Sequence, residues 1–461
     1  MNFNEPIFLF LFLPLFMFGY FLAQGKGKLI FGVLGSFIFY SWGNLSYIPL
    51  IIALGFLTYV IGYGINRWRG QKISQIFLGI GITSIVILLI TYKVFSERAY
   101  PLGLSYLTFQ GIAYLIESFK KVDNYEKDLL KFSFYFFMFP KIPIGPIIRY
   151  SQVKEDLFNI KTEPSDVAEG LRRFIRGFAK KALIADVLAQ VVNPIFNLSS
   201  PIILPSTAWL VIISYSIQLY FDFSGYSDMA IGLAKMMGIR FVENFDSPYL
   251  SKSIGEFWRR WHISLSTWFR DFVFYPLQRI RLTWLPQPVI ILIVFTLTGL
   301  WHGFTQNFLI WGFIHGLAIV LETTFLGRKL QTVWVPIQHL YTLGIILVGW
   351  VFFRSPTPGF ALDFIRRLLG DMTGYRVLPF EQTNPLPFIE PTFVLSLIAG
   401  LILCLPLDNW FQRISVAFLN KINSKNLWLQ AVYDVGLLLL FASAITVLAG
   451  AKYQPAIYGN F

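Results

Sequence analysis

Four histidines are the residues of this sequence best suited to proton chemistry: His262, His302, His315 and His339. His315 stands in "FLIWGFIHGLAIVLE", with apolar residues for about two helical turns on either side. Ionisable groups inside apolar helices are scarce and are functional candidates by default. Gly312 and Gly316 share nearly the same helix face and leave space beside the ring. Spacing alone leaves two readings open for His315: a reactive centre, or a core histidine hydrogen-bonded to a backbone carbonyl. His302, in "GLWHGF", lies 13 residues earlier. On one continuous helix the two would point roughly 220° apart, but Gly303 and the polar "TQN" predict a break that brings them side by side. With no i, i+4 histidine pair and no cysteine cluster, no metal site is expected.

Two further groups carry polar chemistry. Asp222 and Asp228 lie in "FDFSGYSD" and would serve a transporter as an ion or proton relay. Structurally, Asp228 reads as the cap of a helix "MAIGLAKMMG", with a turn at Ser224 and Gly225. Asp222 fits either reading. The stretch "EFWRRWHISLSTWFRDFVFYP" (256–276) reads as one amphipathic helix in the membrane interface. Phe257, Trp261, Leu265 and Trp268 share one side; Arg259, His262, Ser266 and Asp271 share another. Snorkelling arginines explain much of it, but not the neutral His262, Ser264 and Ser266.

The elements that hold these residues follow from composition. The chain is 461 residues long, 55% hydrophobic and 14% charged, with a mean hydropathy of +0.60. Soluble domains carry about 25% charged residues, so a bilayer is the expected solvent. Apolar runs recur at 7–24, 29–42, 46–66, 76–92, 206–221, 288–301, 306–326, 338–353, 391–407 and 433–450. An all-α polytopic membrane protein with about 10–11 spans is expected. The first run lacks a basic n-region and a cleavage site, so it reads as a retained span. Cys404 is the only cysteine. The net charge of +13 is scattered rather than striped, which argues against nucleic acid and for positive-inside bias. Lys26 and Lys28, then Arg67, Arg69 and Lys72, place those loops in the cytoplasm and the N-terminus outside. Anionic lipid is partner enough for this charge.

A single integral domain, 1–461, is expected, with N-terminal spans (1–92), an interrupted central block (100–320) and C-terminal spans (338–461). Gly and Pro break the apolar runs of the central block, as in "FYFFMFPKIPIGPIIRY", and such backbone is tolerated only where protein buries it or a cavity opens. A long loop, ending "TNPLPFIEP", is expected near 354–390.

At this point the residues match a known family. "QLYFDFSGYSDMAIGLAKMMGIRFVENFDSPYLSKSIGEFWRRWHISLSTWFRDFVFYPL" resembles the signature block of the bacterial membrane-bound O-acyltransferases (MBOAT), in the branch of alginate O-acetyltransferase membrane subunits. "PLGLSYLTFQGIAYLIE", "FFMFPKIPIGPIIRYSQ", "RRFIRGFAKKALIADVLA", "GLWHGFTQNFLIWGFIHG", "GWVFFRS" and the terminal "YQPAIYGNF" follow in the family's order. The teichoic-acid D-alanyl transferases are more distantly similar.

The resemblance implies a ring of helices around a thinned centre, with a funnel outside and a tunnel from the cytoplasm. It implies that His315 is the family's essential histidine, and that His262 and His302 match its "RWH-SLS" and "WHG" histidines. His315 would be the general base for attack of a hydroxyl on an acyl thioester, and Asp222, His262 and His302 would support it. Trp258, Arg259, Arg260, Trp261, Ser264, Ser266, Arg270, Asp271, Trp301, Asn307 and Trp311 form the implied donor and substrate surface. The implied donor is acetyl-CoA or an acyl carrier thioester, the latter delivered by a cytoplasmic protein, and no bound cofactor is expected. The implied acceptor is an extracellular polysaccharide, reached through an extracytoplasmic SGNH-type partner at the plasma (inner) membrane. D-alanyl transfer, or another acyl transfer to a cell-wall polymer, lipid or protein, is the alternative; a flippase using Asp222 and Asp228 is the rival class. Two departures from the family pattern are visible: "YPLQRIRLTWLPQP" lacks the usual glycine-rich loop, and Gln306-Asn307 replaces small and aromatic residues.

Overall fold

The computed structural model describes residues 1–95, 100–198, 203–280, 285–373, 390–405 and 427–450. Among these residues every regular element is helical. Each of the ten apolar runs falls on a helix, because hydrocarbon leaves backbone N–H and C=O groups no partner but their own chain. Five helices are long and apolar enough to cross a membrane alone: Leu45–Arg67, Lys72–Phe95, Gln306–Thr332, Val335–Arg354 and Gln430–Gly450. Phe8–Leu22, Gln287–His302 and Pro391–Leu403 are shorter apolar helices. Their outward faces carry exposed Phe18, Phe56, Ile80, Leu395 and Leu438. So much exposed apolar surface suits lipid rather than water.

The interrupted block is packed inside. Leu104–Lys120 is buried almost all round, and the irregular backbone after Met138 is covered on all sides, with Phe139, Ile142, Ile144 and Ile147 within the core. Buried side chains from Phe3 to Ala444 form one connected cluster.

Three expectations change. Asp228 caps nothing: the helix runs unbroken over Pro205–Met236, through Ser224 and Gly225. Its carboxylate instead pairs with Arg173 at 2.9 Å and Lys180 at 2.7 Å, which hold the neighbouring long helix against it. The 256–276 stretch breaks at His262 into a short helix, Ile254–Arg260, and a second helical run that begins as Ile263–Phe269 and continues to Arg279. The loop near 354–390 contains a helix, Pro358–Leu368, started by Thr357, whose Oγ1 accepts the Phe360 N–H at 3.2 Å. Residues 281–284 of the glycine-poor loop, "TNPLPFI" (383–389) and "YQPAIYGNF" lie outside the described residues.

Candidate functional site

The helices Gln287–His302 and Gln306–Leu321 form a hairpin whose backbones touch. A Cβ at Gly299 would lie 2.3 Å from the Phe308 carbonyl oxygen, and one at Gly312 would lie 2.4 Å from that of Phe295. No larger residue allows this approach, and the approach sets the histidines in order. The His302 ring lies 4.9 Å from Trp311, and Trp311 lies 5.2 Å from His315, measured between ring centres. His315 is wholly buried, boxed by Trp311, Trp258 at 5.4 Å, Trp350 at 6.2 Å and Phe257 at 6.3 Å.

Its two nitrogens have different surroundings. The Trp258 indole N–H donates to Nδ1 at 3.3 Å. Nε2 has no hydrogen-bond partner among the described residues and sits 2.7 Å from where a Cβ on Gly349 would stand. An indole N–H can only donate. Nδ1 is therefore the accepting atom, and a neutral ring carries its proton on Nε2.

Trp258 comes from the short helix Ile254–Arg260, which ends at an unusual corner. His262 holds left-handed backbone, φ 44°, a conformation that costs a non-glycine residue free energy. Asn244 holds it there. The Asn244 Oδ1 accepts from His262 Nδ1 at 3.1 Å, from the Ser264 N–H at 3.2 Å and from the Ser264 hydroxyl at 2.9 Å. The Asn244 carbonyl takes the Ile263 N–H at 2.9 Å. The corner lets one tryptophan face His315 while the others pack elsewhere. Trp261 stacks on Phe257 at 5.5 Å and meets Trp350 at 5.1 Å; Trp268 stacks on Phe109 at 4.3 Å and donates to its carbonyl at 2.9 Å.

A cavity of about 880 Å3 opens beside these helices. Lys252, Arg259 and Arg270 are the cations lining it, and Ile291, Val294, Phe295 and Ile319 give it an apolar wall. Trp258 lines it too and so touches both cavity and His315, whereas His315 does not line it. Ser266 is also on the wall.

The remaining expected residues are engaged elsewhere. Arg260 pairs with Glu256 at 3.0 Å and Asp246 at 3.2 Å. Asp271 binds Arg149 at 2.8 Å and Arg270 at 2.9 Å. Burial pushes the Asp271 carboxyl up, and the two guanidinium partners outweigh that and hold it below its ordinary value. Trp301 stacks on Phe109 at 5.5 Å, and its carbonyl accepts from the Lys93 ammonium. Asn307 donates to the Ser355 carbonyl. Asp222 lies against the buried Lys181 ammonium at 2.6 Å, which also meets Asp186 at 2.6 Å. His339 lies 3.2 Å from the Ser251 carbonyl, away from the other three histidines' cluster. Residue types alone gave no sign of Asn244, Gly349, Lys181 or Glu322; each matters through a partner far away in sequence.

The chain is thus a polytopic helical membrane protein that buries a histidine behind a tryptophan, beside a cavity lined by Lys252, Arg259 and Arg270. The chain matches the model of MBOAT, the membrane-bound O-acyltransferase family, over residues 37–353, and it belongs to that family. It is an acyltransferase of the membrane. It is 32% identical over 492 residues to the probable alginate O-acetylase AlgI of Pseudomonas putida, covering all of both chains. It is 30% identical over 420 residues to the peptidoglycan O-acetyltransferase of Helicobacter pylori, covering 80% of each. It is 28% identical over 346 residues to the teichoic acid D-alanyltransferase of Bacillus subtilis, covering 70% of this chain and 83% of that one.

Proposed function

We propose that this chain takes an acetyl group from a cytoplasmic thioester and delivers it for O-acetylation of a polysaccharide outside the plasma (inner) membrane, with His315 as the general base. The observation that carries this reading is the junction at Trp258, where a cation-lined cavity meets the buried His315. Lys252, Arg259 and Arg270 suit the phosphates of acetyl-CoA or of a carrier protein's phosphopantetheine. The apolar wall of Ile291, Val294 and Phe295 suits the uncharged arm and acyl end.

The step follows from the ring. The acceptor hydroxyl replaces the indole N–H as the donor to Nδ1. As its oxygen bonds to the thioester carbon, Nδ1 takes the proton. The tetrahedral intermediate then collapses, the carbon–sulfur bond breaks, and the thiolate leaves with that proton. Trp311, whose indole N–H has no partner among the described residues, stands beside His315 with the His302 ring edge-on to it. These two supply the donors for the developing oxyanion. His262, held by Asn244, shapes the corner that aims Trp258. Asp222, beside Lys181, holds helices together.

The acceptors named for the relatives, alginate, peptidoglycan and teichoic acid, are all surface polymers, and two of the three named activities are acetylations. That favours an acetylated polysaccharide, reached through an SGNH-type partner outside. D-alanyl transfer is the second reading, favoured by the third relative. Mass analysis of surface polymers from a strain lacking the chain separates them: loss of ester-linked acetate is expected, loss of ester-linked D-alanine would move the assignment to the second reading, and unchanged ester content would remove both.

A further inference from the structure

The short helix that carries Trp258 has a guest at its N-terminus. The first N–H groups of a helix have no partner within it. Here the Ser253 hydroxyl accepts the Glu256 N–H at 3.0 Å, and the Ser253 carbonyl accepts that of Phe257 at 2.9 Å. The N–H groups of Ile254 and Gly255 go to the two carboxylate oxygens of Glu322, at 2.6 and 2.9 Å. Glu322 lies seven residues beyond His315 on the same continuous helical run, about two turns along it. Trp258 lies four residues beyond Ile254, about one turn from the capped end.

These links close a ring. From His315 the path follows one helix to Glu322, crosses two hydrogen bonds to Ile254 and Gly255, follows the short helix to Trp258, and returns through the indole to Nδ1. Two sides of the ring are helical backbone and two are hydrogen bonds. We propose that Glu322 is a positioning residue for acyl transfer, tying the Trp258 helix to the His315 helix so that in the resting site the indole keeps Nδ1 the unprotonated, accepting atom until the acceptor hydroxyl takes its place.

The residue types fit that task. Two parallel N–H groups at a helix N-terminus call for an acceptor with two oxygens and a negative charge. A glutamine would offer one oxygen and set an NH2 against the second N–H. Gly255 allows the carboxylate its approach, since a Cβ there would stand 3.3 Å from Oε2. The charge is also answered within the protein, so a carboxylate can sit in the wall of a cavity whose other ionisable lining residues include Lys252, Arg259 and Arg270.

The inference rests on the acyl-transfer reading, and its test keeps the two apart. Ester-linked acyl groups on surface polymers are measured at matched membrane protein levels for Glu322→Ala, Glu322→Gln, Trp258→Phe, Glu322→Ala with Trp258→Phe, and His315→Ala. Hydrogen–deuterium exchange is followed over residues 252–258 in the purified full chain. Glu322→Ala and Trp258→Phe should each lower transfer by roughly 10–100-fold. The double variant should be no worse than the worse single, because both act on one contact. Glu322→Gln should fall in between, and it carries the test if the alanine variant fails to reach the membrane. Exchange at Ile254 and Gly255 should quicken in the Glu322 variants and stay unchanged in Trp258→Phe. Multiplied losses in the double variant, or Glu322→Gln with full transfer and unchanged exchange, would overturn the inference. Full transfer in His315→Ala would instead remove the acyl-transfer reading, whatever happens at Glu322.

Discussion

At the scale of single residues, the site depends on space as much as on chemistry. Gly349 faces the His315 Nε2 edge, and a methyl there would stand 2.7 Å from that nitrogen. Gly349→Ala must therefore shift the ring or the helix, at about 1–3 kcal/mol of overpacking, and acyl transfer should drop at least tenfold. Gly344 lies on the same helix with nothing within 4 Å of its position for a Cβ, so Gly344→Ala should transfer normally. Equal activity in the two would contradict the packing argument. Asn244→Ala takes away the side-chain acceptor of His262 and Ser264, and a loss of about 2 kcal/mol in stability is expected, read as a lower melting temperature in detergent. The burial of His315 was legible from its apolar surroundings. Asn244 was not, because nothing in "ENFDSPY" says that its amide reaches 18 residues ahead to hold a left-handed histidine.

At the scale of elements, periodicity misled in one place for a clear reason. Phe257, Trp261 and Leu265 recur every four residues, so 256–276 reads as one helix. The chain turns at His262 without Pro or Gly, held by tertiary hydrogen bonds that a local pattern does not encode. The same applies at Asp228, where a side chain of capping type serves as an ion-pair partner in mid-helix. The second short helix continues to Asp271, tied to Arg149 across the fold. Because its folded pKa is lowered, this carboxylate adds stability above the ordinary range near pH 3.9 and loses that contribution as pH falls through the lowered value. The melting temperatures of the native chain and Asp271→Asn should therefore differ at neutral pH and converge in acid. A gap that widens in acid would contradict the sign.

At the scale of the whole molecule, hydropathy carried most of the fold, since every apolar run became a helix. It could not show how those helices surround the buried block, because that arrangement depends on contacts such as Gly299 with Phe308 and Asp222 with Lys181. Orientation rests on the basic loops, and the single cysteine makes it testable. In a Cys404→Ser background, a cysteine at Lys26 should react with an impermeant maleimide only from the cytoplasmic face, and one at Gly43 only from outside. The reverse pattern would invert the proposed direction of transfer. The central claim, that this membrane acyltransferase works through a buried histidine base, is tested most directly at His315. His315→Ala, at native protein levels in the membrane, should lower ester-linked acylation of surface polymers by roughly 100-fold or more; acylation at the native level in that variant would contradict the account.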